Sequence, residues 1–296
     1  MASRERQKVN KLRPSPFLVV ALVAACAAGP RWRLDDPAGD DHGPGGYRYP
    51  ESPVLVPGSC DLRAVVLGRE GADWVLEVSF ARPVRRARLF LTRDEVRRVF
   101  LQTVDVYLRL AGSEPAHRQA LPGRRVLIAG GWHKAVVLSP VPGLLAEALG
   151  RSTDLAGDVY LPKRVRVSGR RLRARLPAAF LGGRTPRAVA VLVGGSRLGQ
   201  SFRLADRLRG TLAPVGLLMP VLAHPGPCRP DDEQGPGCHF SGCAPCGNHP
   251  NVVDILAPVG LQEKALSGYD VATGRLAEVP AWPLAAAGGE TGKGRR

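Results

Sequence analysis

Short stretches in which apolar and polar residues alternate recur along most of the chain, and this period of two predicts β-strands. The clearest alternation runs from Trp74 to Phe80, and a second covers Leu101 to Leu110. The segment from Ala188 to Val193 is apolar throughout and predicts another strand. Further strands are predicted at 62–67, 125–129 and 134–138, and a hairpin at 159–167 with 170–176.

Turn residues separate these strands, since Gly (35) and Pro (27) are both frequent in the 296 residues. Many short strands with turn signals between them are typical of a β-sandwich. Helices are predicted only at 144–149 and 262–266, and no long linker divides the chain. We therefore expect an all-β fold, a single β-sandwich over residues 35–284 with a few short helices. Residues 222–249 form an irregular insertion, and 285–296 are predicted to be a disordered tail.

The N-terminus is typical of an export signal. Five basic residues precede an apolar run from Phe17 to Ala28, which is too short for the roughly 20 residues that span a bilayer as a helix. This pattern predicts a signal peptide at 1–25. The segment Val23-Ala24-Ala25-Cys26 resembles the lipobox of bacterial lipoproteins, with Val23 in place of the usual Leu.

The lipobox resemblance implies a lipid anchor on Cys26, a tether over residues 26–34 and a place in the cell envelope. Ala27 lacks the acid that would suggest inner-membrane retention, so the outer membrane or periplasmic face is favoured. The alternatives are an ordinary signal peptide with a chance cysteine, or a short anchor helix.

The net charge of +16 makes the chain strongly basic, and about +12 remains without the signal peptide's five bases and one acid. A basic domain raises nucleic acid as a partner, but arginines such as Arg173 and Arg175 alternate with apolar residues and form no block. We expect no nucleic acid. An anionic surface of lipid headgroups or lipopolysaccharide is the better partner, and a genome that favours arginine is the alternative explanation.

An acidic loop near the start of the domain has the composition of a calcium site. Residues 35–41 hold four acids separated by Pro and Gly, and calcium takes six to eight oxygen ligands from such loops. The alternative is a solvated acidic turn or a set of side-chain caps.

Several longer motifs together resemble a known family. Residues 250–258 and 262–270, with the loop around Asp36, the segment 57–62 and the strands at 101–107 and 188–194, resemble the C-terminal module of bacterial glucodextranases. That family is a DOMON-like, jelly-roll-like β-sandwich, similar to calcium-containing carbohydrate-binding modules. The resemblance implies binding of a polysaccharide or cell-envelope glycan without catalysis, and a structural calcium held by Asp36, Asp40 and Asp41.

The insertion departs from that family because it holds four cysteines, namely Cys228, Cys238, Cys243 and Cys246. Export favours two disulfides, whose pairing the sequence does not decide. Four cysteines with neighbouring histidines also suit a metal, and redox-active thiols are the third alternative.

No motif for catalysis is found: the chain lacks G-x-S-x-G, a P-loop and H-E-x-x-H. Sugar binding needs aromatic platforms beside polar groups, and the candidates are Trp132 and Trp282, with Tyr47 and Tyr49 near the acidic loop. For Trp132, which also matches a position of the family, the alternative is a place in the core. The sequence thus favours a non-catalytic envelope lipoprotein with a calcium-dependent, glycan-binding sandwich. The alternatives are a structural or assembly lipoprotein that holds a protein partner, and a redox or metal-handling lipoprotein built on the cysteine insertion.

Overall fold

The strands of this protein form four β-sheets in a computed structural model that describes residues 30–45, 47, 49, 54–90, 96–149, 155, 157–195 and 249–284. The signal peptide, Cys26, the four insertion cysteines and the tail lie outside the described residues, so their roles stay predictions. None of the described helices is long and apolar enough to cross a membrane.

Within the described ranges, sixteen strands and two short α-helices follow one another along the chain. They are β1 (Arg31–Asp35), β2 (Leu62–Glu70), β3 (Asp73–Phe80), β4 (Ala87–Phe90), β5 (Val96–Val99), β6 (Gln102–Leu110), β7 (His117–Gln119), β8 (Val126–Trp132), β9 (Lys134–Leu138), α1 (Pro142–Leu149), β10 (Val159–Tyr160), β11 (Arg166–Ser168), β12 (Arg171–Leu176), β13 (Pro186–Gly195), β14 (Asp254–Ile255), α2 (Leu261–Leu266), β15 (Ala277–Val279) and β16 (Trp282–Pro283). A 3-10 helix at Ala178–Leu181 lies between β12 and β13.

Three of the sheets are stacked as layers. The front sheet has the order β1-β2-β3-β12-β11, and the central sheet has the order β10-β9-β6-β13-β14, with β16 also paired to β13. The back sheet is β15-β8-β7, while β4 and β5 form a separate hairpin. The prediction of an all-β fold is confirmed, and the sandwich of front and central sheets carries a third layer.

The central sheet is buried on both faces, which explains its apolar strands. On β13, Val189, Val191 and Val193 join the core shared with the front sheet. Ala190 and Leu192 join a second core against the back sheet and the helices. A strand with two buried faces cannot show alternation, and the run at 188–193 therefore reads as continuously apolar.

Two sequence predictions need correction. Residues 26–34 were expected to be a tether, but Arg31–Asp35 form an edge strand of the front sheet, where Trp32 stacks on Trp74 with ring centroids 5.8 Å apart. The strand expected at 159–167 is split. Its start, β10, pairs parallel with β9 in the central sheet, and its end, β11, pairs with β12 in the front sheet.

A fully buried ion pair joins the central sheet to the loop before β8. Arg124 donates to both carboxylate oxygens of Asp105, at 2.6 and 3.0 Å, and both side chains are 0% exposed. Tyr107 donates to the same carboxylate and accepts from the amide of Leu121. A buried ion pair adds little to the free energy of unfolding, because both charges lose their hydration. Removal of one partner, however, leaves the other charge buried without compensation.

Replacement of the arginine in Arg124→Met should therefore lower the free energy of unfolding by about 3–5 kcal/mol, because Asp105 would stay buried without its partner. Urea denaturation of the full chain measures this. The matched control is Arg118→Met, whose partner Glu278 is exposed and whose loss should cost about 0–1 kcal/mol. Equal losses in the two variants would contradict the prediction.

Candidate metal centre

Carboxylates from three separate stretches of the sequence meet where β1 ends, β2 begins and β14 pairs with β13. Asp36 directly follows β1, and Asp40 lies in the loop beyond it. Asp61 directly precedes β2. Asp254 is the first residue of β14 and pairs with Val193. The sheets therefore fix the backbone of every contributor except Asp40.

Backbone amides hold one carboxylate oxygen of three of these residues. The amide of Ala257 donates to Oδ1 of Asp36 at 2.8 Å. The amide of Leu62 donates to Oδ2 of Asp254 at 2.6 Å. The amide of Gly39 donates to Oδ2 of Asp61 at 2.7 Å, which folds the acidic loop back onto β2. Each of these side chains is thus oriented by a neighbouring segment of backbone.

The remaining oxygens are buried and have no hydrogen-bond donor among the described residues. They are Oδ2 of Asp36 and Oδ1 of Asp40, Asp61 and Asp254. Carboxylate oxygens of Asp36, Asp40 and Asp254 lie within 4.8 Å of one another. Buried carboxylates without donors are costly, so this group needs either protons or a cation.

The pKa values of these carboxyl groups are raised, because burial and the neighbouring acids disfavour the ionised form. Burial, followed by the charges of Asp40 and Asp61, raises the pKa of Asp36 to about 8 against the lowering effect of the Ala257 amide. Burial and the charge of Asp41 raise the pKa of Asp61 to about 6. Burial first, and then Asp36 and Asp40, raises the pKa of Asp254 well above its usual range.

The donor set suits calcium. Calcium binds oxygen at about 2.3–2.6 Å, so two ligands on opposite sides of one ion lie about 5 Å apart, and the 4.8 Å limit of the cluster is compatible with that span. Zinc prefers nitrogen and sulfur ligands, whereas this cluster consists of carboxylates. A divalent cation here would replace the missing donors and cancel the repulsion that raises the pKa values.

Gln262 of α2 connects the two sides of the cluster. Its Oε1 accepts from the amide of Ile255 at 2.8 Å, and its Nε2 donates to the carbonyl of Asp40. The acidic loop turns at Gly43, three residues after Asp40. Gly43 has φ +60°, and an added Cβ there would overlap the ring of Tyr47. These contacts hold Asp40 close to β14.

Asp41 has a different role from the one predicted. Instead of joining the three-residue cluster, its Oδ2 accepts from the hydroxyl of Tyr49 and, at 3.1 Å, from the amide of Gly58. Its donors therefore lie in the segments that follow the loop. Asp254 takes the place in the cluster that the sequence analysis gave to Asp41.

The aromatic candidates are also corrected. Trp132 is 0% exposed, stacks on His117 with centroids 4.3 Å apart and donates to the carbonyl of Gln119. Tyr47 is 4% exposed and donates to the carbonyl of Pro250. Tyr49 is half-buried, and its hydroxyl binds Asp41 and accepts from the amide of Cys60. Trp132 and Tyr47 therefore offer no surface platform, and Tyr49 supports the acidic loop.

The sequence analysis missed Asp254 and left Asp61 without a role. Asp254 stands inside the apolar run from Val252 to Ala257. An acid in such a run, which the structure buries completely, is costly unless it has a partner. The position of Asp254 in an apolar run therefore indicated a buried, functional acid. The sequence alone did not indicate which other acids would lie next to Asp254.

One comparison with known proteins covers all of these residues. A family model for the C-terminal, SLH-like binding module of glucodextranase matches residues 32–281. The match includes Asp36, Asp40, Asp61 and Asp254. No curated protein matches the chain.

The raised pKa of Asp36 predicts how stability depends on pH without metal. A carboxyl whose pKa is raised on folding favours the folded state when protonated, and that contribution is lost as the pH rises from about 4 towards 8. In chelator, Asp36→Asn should therefore be more stable than the unaltered chain at pH 8, and the difference should shrink towards pH 5. Urea denaturation across this range measures it.

The control for this experiment is Asp35→Asn, one residue away, whose side chain is 66% exposed. Its stability difference from the unaltered chain should stay nearly constant with pH. A constant difference for Asp36→Asn as well would show that Asp36 is not held as a buried, charge-repelled carboxyl.

Proposed function

The chain belongs to the family of C-terminal, SLH-like binding modules of glucodextranase, and from that premise we propose that it is a non-catalytic, calcium-stabilised module that binds carbohydrate at the cell envelope. The matched family is a binding module and not a catalytic domain. The observation that carries the calcium part is the meeting of Asp36, Asp40 and Asp254 with one donorless oxygen each.

The proposed calcium has a structural role. It would be held by Asp36, Asp40 and Asp254, with Asp61 beside them, and it would supply positive charge to a buried anionic cluster. These residues come from the loop after β1, the start of β2 and β14. The cation would therefore fasten the acidic loop to both main sheets and fix the surface that surrounds it.

The envelope location follows from the predicted lipid anchor. If Cys26 carries lipid, only residues 27–30 separate it from β1 at Arg31. At about 3.5 Å per residue, the five steps from Cys26 to Arg31 reach at most about 18 Å. The front sheet would then stay close to the membrane, where cell-surface glycans are within reach.

Calcium should stabilise the full chain, and Asp254→Asn should abolish most of that effect. Calcium at about 100 times its Kd adds about 2.7 kcal/mol, which for a domain of this size raises Tm by roughly 5–10 °C. Thermal unfolding with calcium and with chelator measures the shift. Asp254 is chosen because it is buried and belongs to the cluster.

Asp35→Asn is the matched control and should keep the full calcium shift. Titration calorimetry with calcium alone gives a second readout, since Asp254→Asn should bind at least tenfold more weakly. If chelator leaves Tm unchanged and calorimetry detects no calcium binding in the unaltered chain, the calcium proposal is wrong.

Carbohydrate binding is tested separately on an array of neutral and charged polysaccharides. The full chain should bind at least one of them, and chelator should weaken the binding because the cluster positions the surrounding loops. Binding that persists unchanged in chelator would separate the metal centre from the glycan site. Failure to bind any polysaccharide would exclude the carbohydrate function.

A further inference from the structure

The described part of the surface has no fully exposed aromatic ring on which a neutral sugar could stack. Every aromatic side chain that the structure describes is buried or half-buried, including Trp74 and Trp132. The large apolar side chains that are exposed in the described ranges are Val259 and Val271. Recognition of a glycan by these parts of the surface must therefore rely on polar or charged side chains.

The β4–β5 hairpin and the segment that leads into it are strongly basic. Residues 81–100 contain seven arginines and two acids. The arginines placed by the structure in this region are exposed, among them Arg82, Arg86, Arg88 and Arg98. This concentration of charge is local, because the region is one fifteenth of the chain and holds about a sixth of its basic residues.

Two of these arginines lie directly opposite each other. In the antiparallel pairing of β4 with β5, Arg88 is the partner of Arg98. Like charges in directly opposed positions destabilise a strand pair. No ion pair within the described ranges relieves either of them. An anion placed between the two guanidinium groups would turn this repulsion into binding.

On the outer face of the front sheet, three arginines have acidic partners. Arg33 pairs with Asp35 at 2.6 Å, Arg173 with Glu70 at 2.5 Å, and Arg171 with Glu77 at 3.3 Å. The acid lies on the same strand for Arg33, on the adjacent β3 for Arg171, and on β2, one strand further away, for Arg173. Arg88 and Arg98 differ from these three arginines in having no ion pair with any residue in the described ranges.

The basic surface extends to the turn between β11 and β12. The amide of Val84 donates to the carbonyl of Gly169 at 2.8 Å, and the amide of Phe80 donates to the carbonyl of Arg170 at 2.9 Å. Arg170 is exposed and thereby adjoins the segment that contains Arg82 and Arg86. Exposed arginines thus lie on two adjoining segments of backbone, and charge spread along both segments suits a linear polyanion better than a single small anion.

We infer that these arginines, named here the arginine strip and comprising Arg82, Arg86, Arg88, Arg98 and Arg170, bind the carboxylate groups of an acidic polysaccharide. The inference rests on the proposed carbohydrate function and specifies its ligand class. Guanidinium groups bind carboxylates through paired, charge-assisted hydrogen bonds. A linear uronate polymer presents such carboxylates at regular intervals, and the strip supplies charge where aromatic stacking is absent.

The test measures binding of the full chain to hyaluronate, a linear uronate polymer, and to neutral dextran. Hyaluronate should bind more tightly and weaken with added salt, since salt screens exposed charges. The double variant Arg88→Gln with Arg98→Gln should weaken hyaluronate binding about fivefold to tenfold, as expected for the loss of two exposed charge contacts. Binding to any neutral polysaccharide should be unchanged.

The matched control is Arg187→Gln with Arg275→Gln, which removes the same charge from two exposed arginines elsewhere. Arg187 lies on β13, and the residues on either side of it pair with Arg109 and Leu110 at the end of β6. This variant should bind hyaluronate like the unaltered chain. Equal losses in both double variants would mean that net charge, and not the arginine strip, determines binding, and would overturn the inference.

Two further outcomes separate the inference from the proposed function. If neutral polysaccharides bind but hyaluronate does not, the arginine strip has no role in glycan binding while the carbohydrate function stands. If hyaluronate does not bind but vesicles of phosphatidylglycerol and phosphatidylcholine do, and Arg88→Gln with Arg98→Gln removes that binding, the strip contacts lipid headgroups and the inference is wrong. If no polysaccharide binds at all, the proposed function itself fails.

Discussion

The arrangement of this fold depends on a group of buried carboxylates that cannot all be ionised without a positive partner. Asp36, Asp40 and Asp254 come from distant parts of the chain, and the segments that carry them must close around a shared space. Backbone amides orient Asp36 and Asp254 but leave one oxygen of each without a donor. The closing of the acidic loop onto the sheets is therefore coupled to protons or to a cation, and a divalent cation bound there would remove the repulsion at neutral pH.

The central sheet contains two buried acids, Asp105 and Asp254, which differ in their hydrogen-bond and ion-pair partners. Asp105 on β6 has an arginine that binds both of its oxygens, together with a tyrosine hydroxyl. Asp254 on β14 has a single backbone amide and further acids beside it. The first arrangement is complete within the protein and is structural. The second is incomplete without another charge, and this difference makes the second the candidate metal centre.

Much of the fold could be predicted from residue periodicity. The alternation at Trp74–Phe80 predicts a strand with one buried face, and β3 is such a strand. The apolar run at 188–193 predicts a strand as well, but the sequence does not state that the third layer covers its other face. Strand Arg31–Asp35 was missed because its exposed positions are arginines and an acid, and only Trp32 and Leu34 pack against the front core.

The metal centre was only partly predictable, for a physical reason. Asp36 and Asp40 lie in a local loop whose composition indicates oxygen ligands, so sequence spacing is informative there. Asp254 joins them through the pairing of β14 with β13, and it is more than two hundred residues away from the loop in the sequence. Asp41 is not one of the three clustered residues, and its Oδ2 accepts from the hydroxyl of Tyr49 and the amide of Gly58.

Trp132 illustrates a related limit. Its position next to a double-glycine turn is typical of an exposed loop residue. The structure instead places the ring in the second core, with its indole nitrogen bound to the carbonyl of Gln119. An aromatic ring with one polar atom is buried without penalty when that atom has a partner. The hydrogen-bond acceptor is the carbonyl of Gln119 on β7, and the sequence around Trp132 does not predict this contact.

The metal centre and the basic exterior are two consequences of one distribution of charge. In the described ranges five aspartates are buried, at positions 36, 41, 61, 105 and 254, whereas Arg124 is the arginine buried with them. The acids withdrawn into the interior no longer offset the arginines outside, so the surface is more basic than the net charge of the chain implies. A bound divalent cation would neutralise part of the buried negative charge and increase the positive potential further. An anionic ligand at the surface is thus the electrostatic counterpart of the acids inside, and loss of the cation would weaken its binding even where the two sites share no residue.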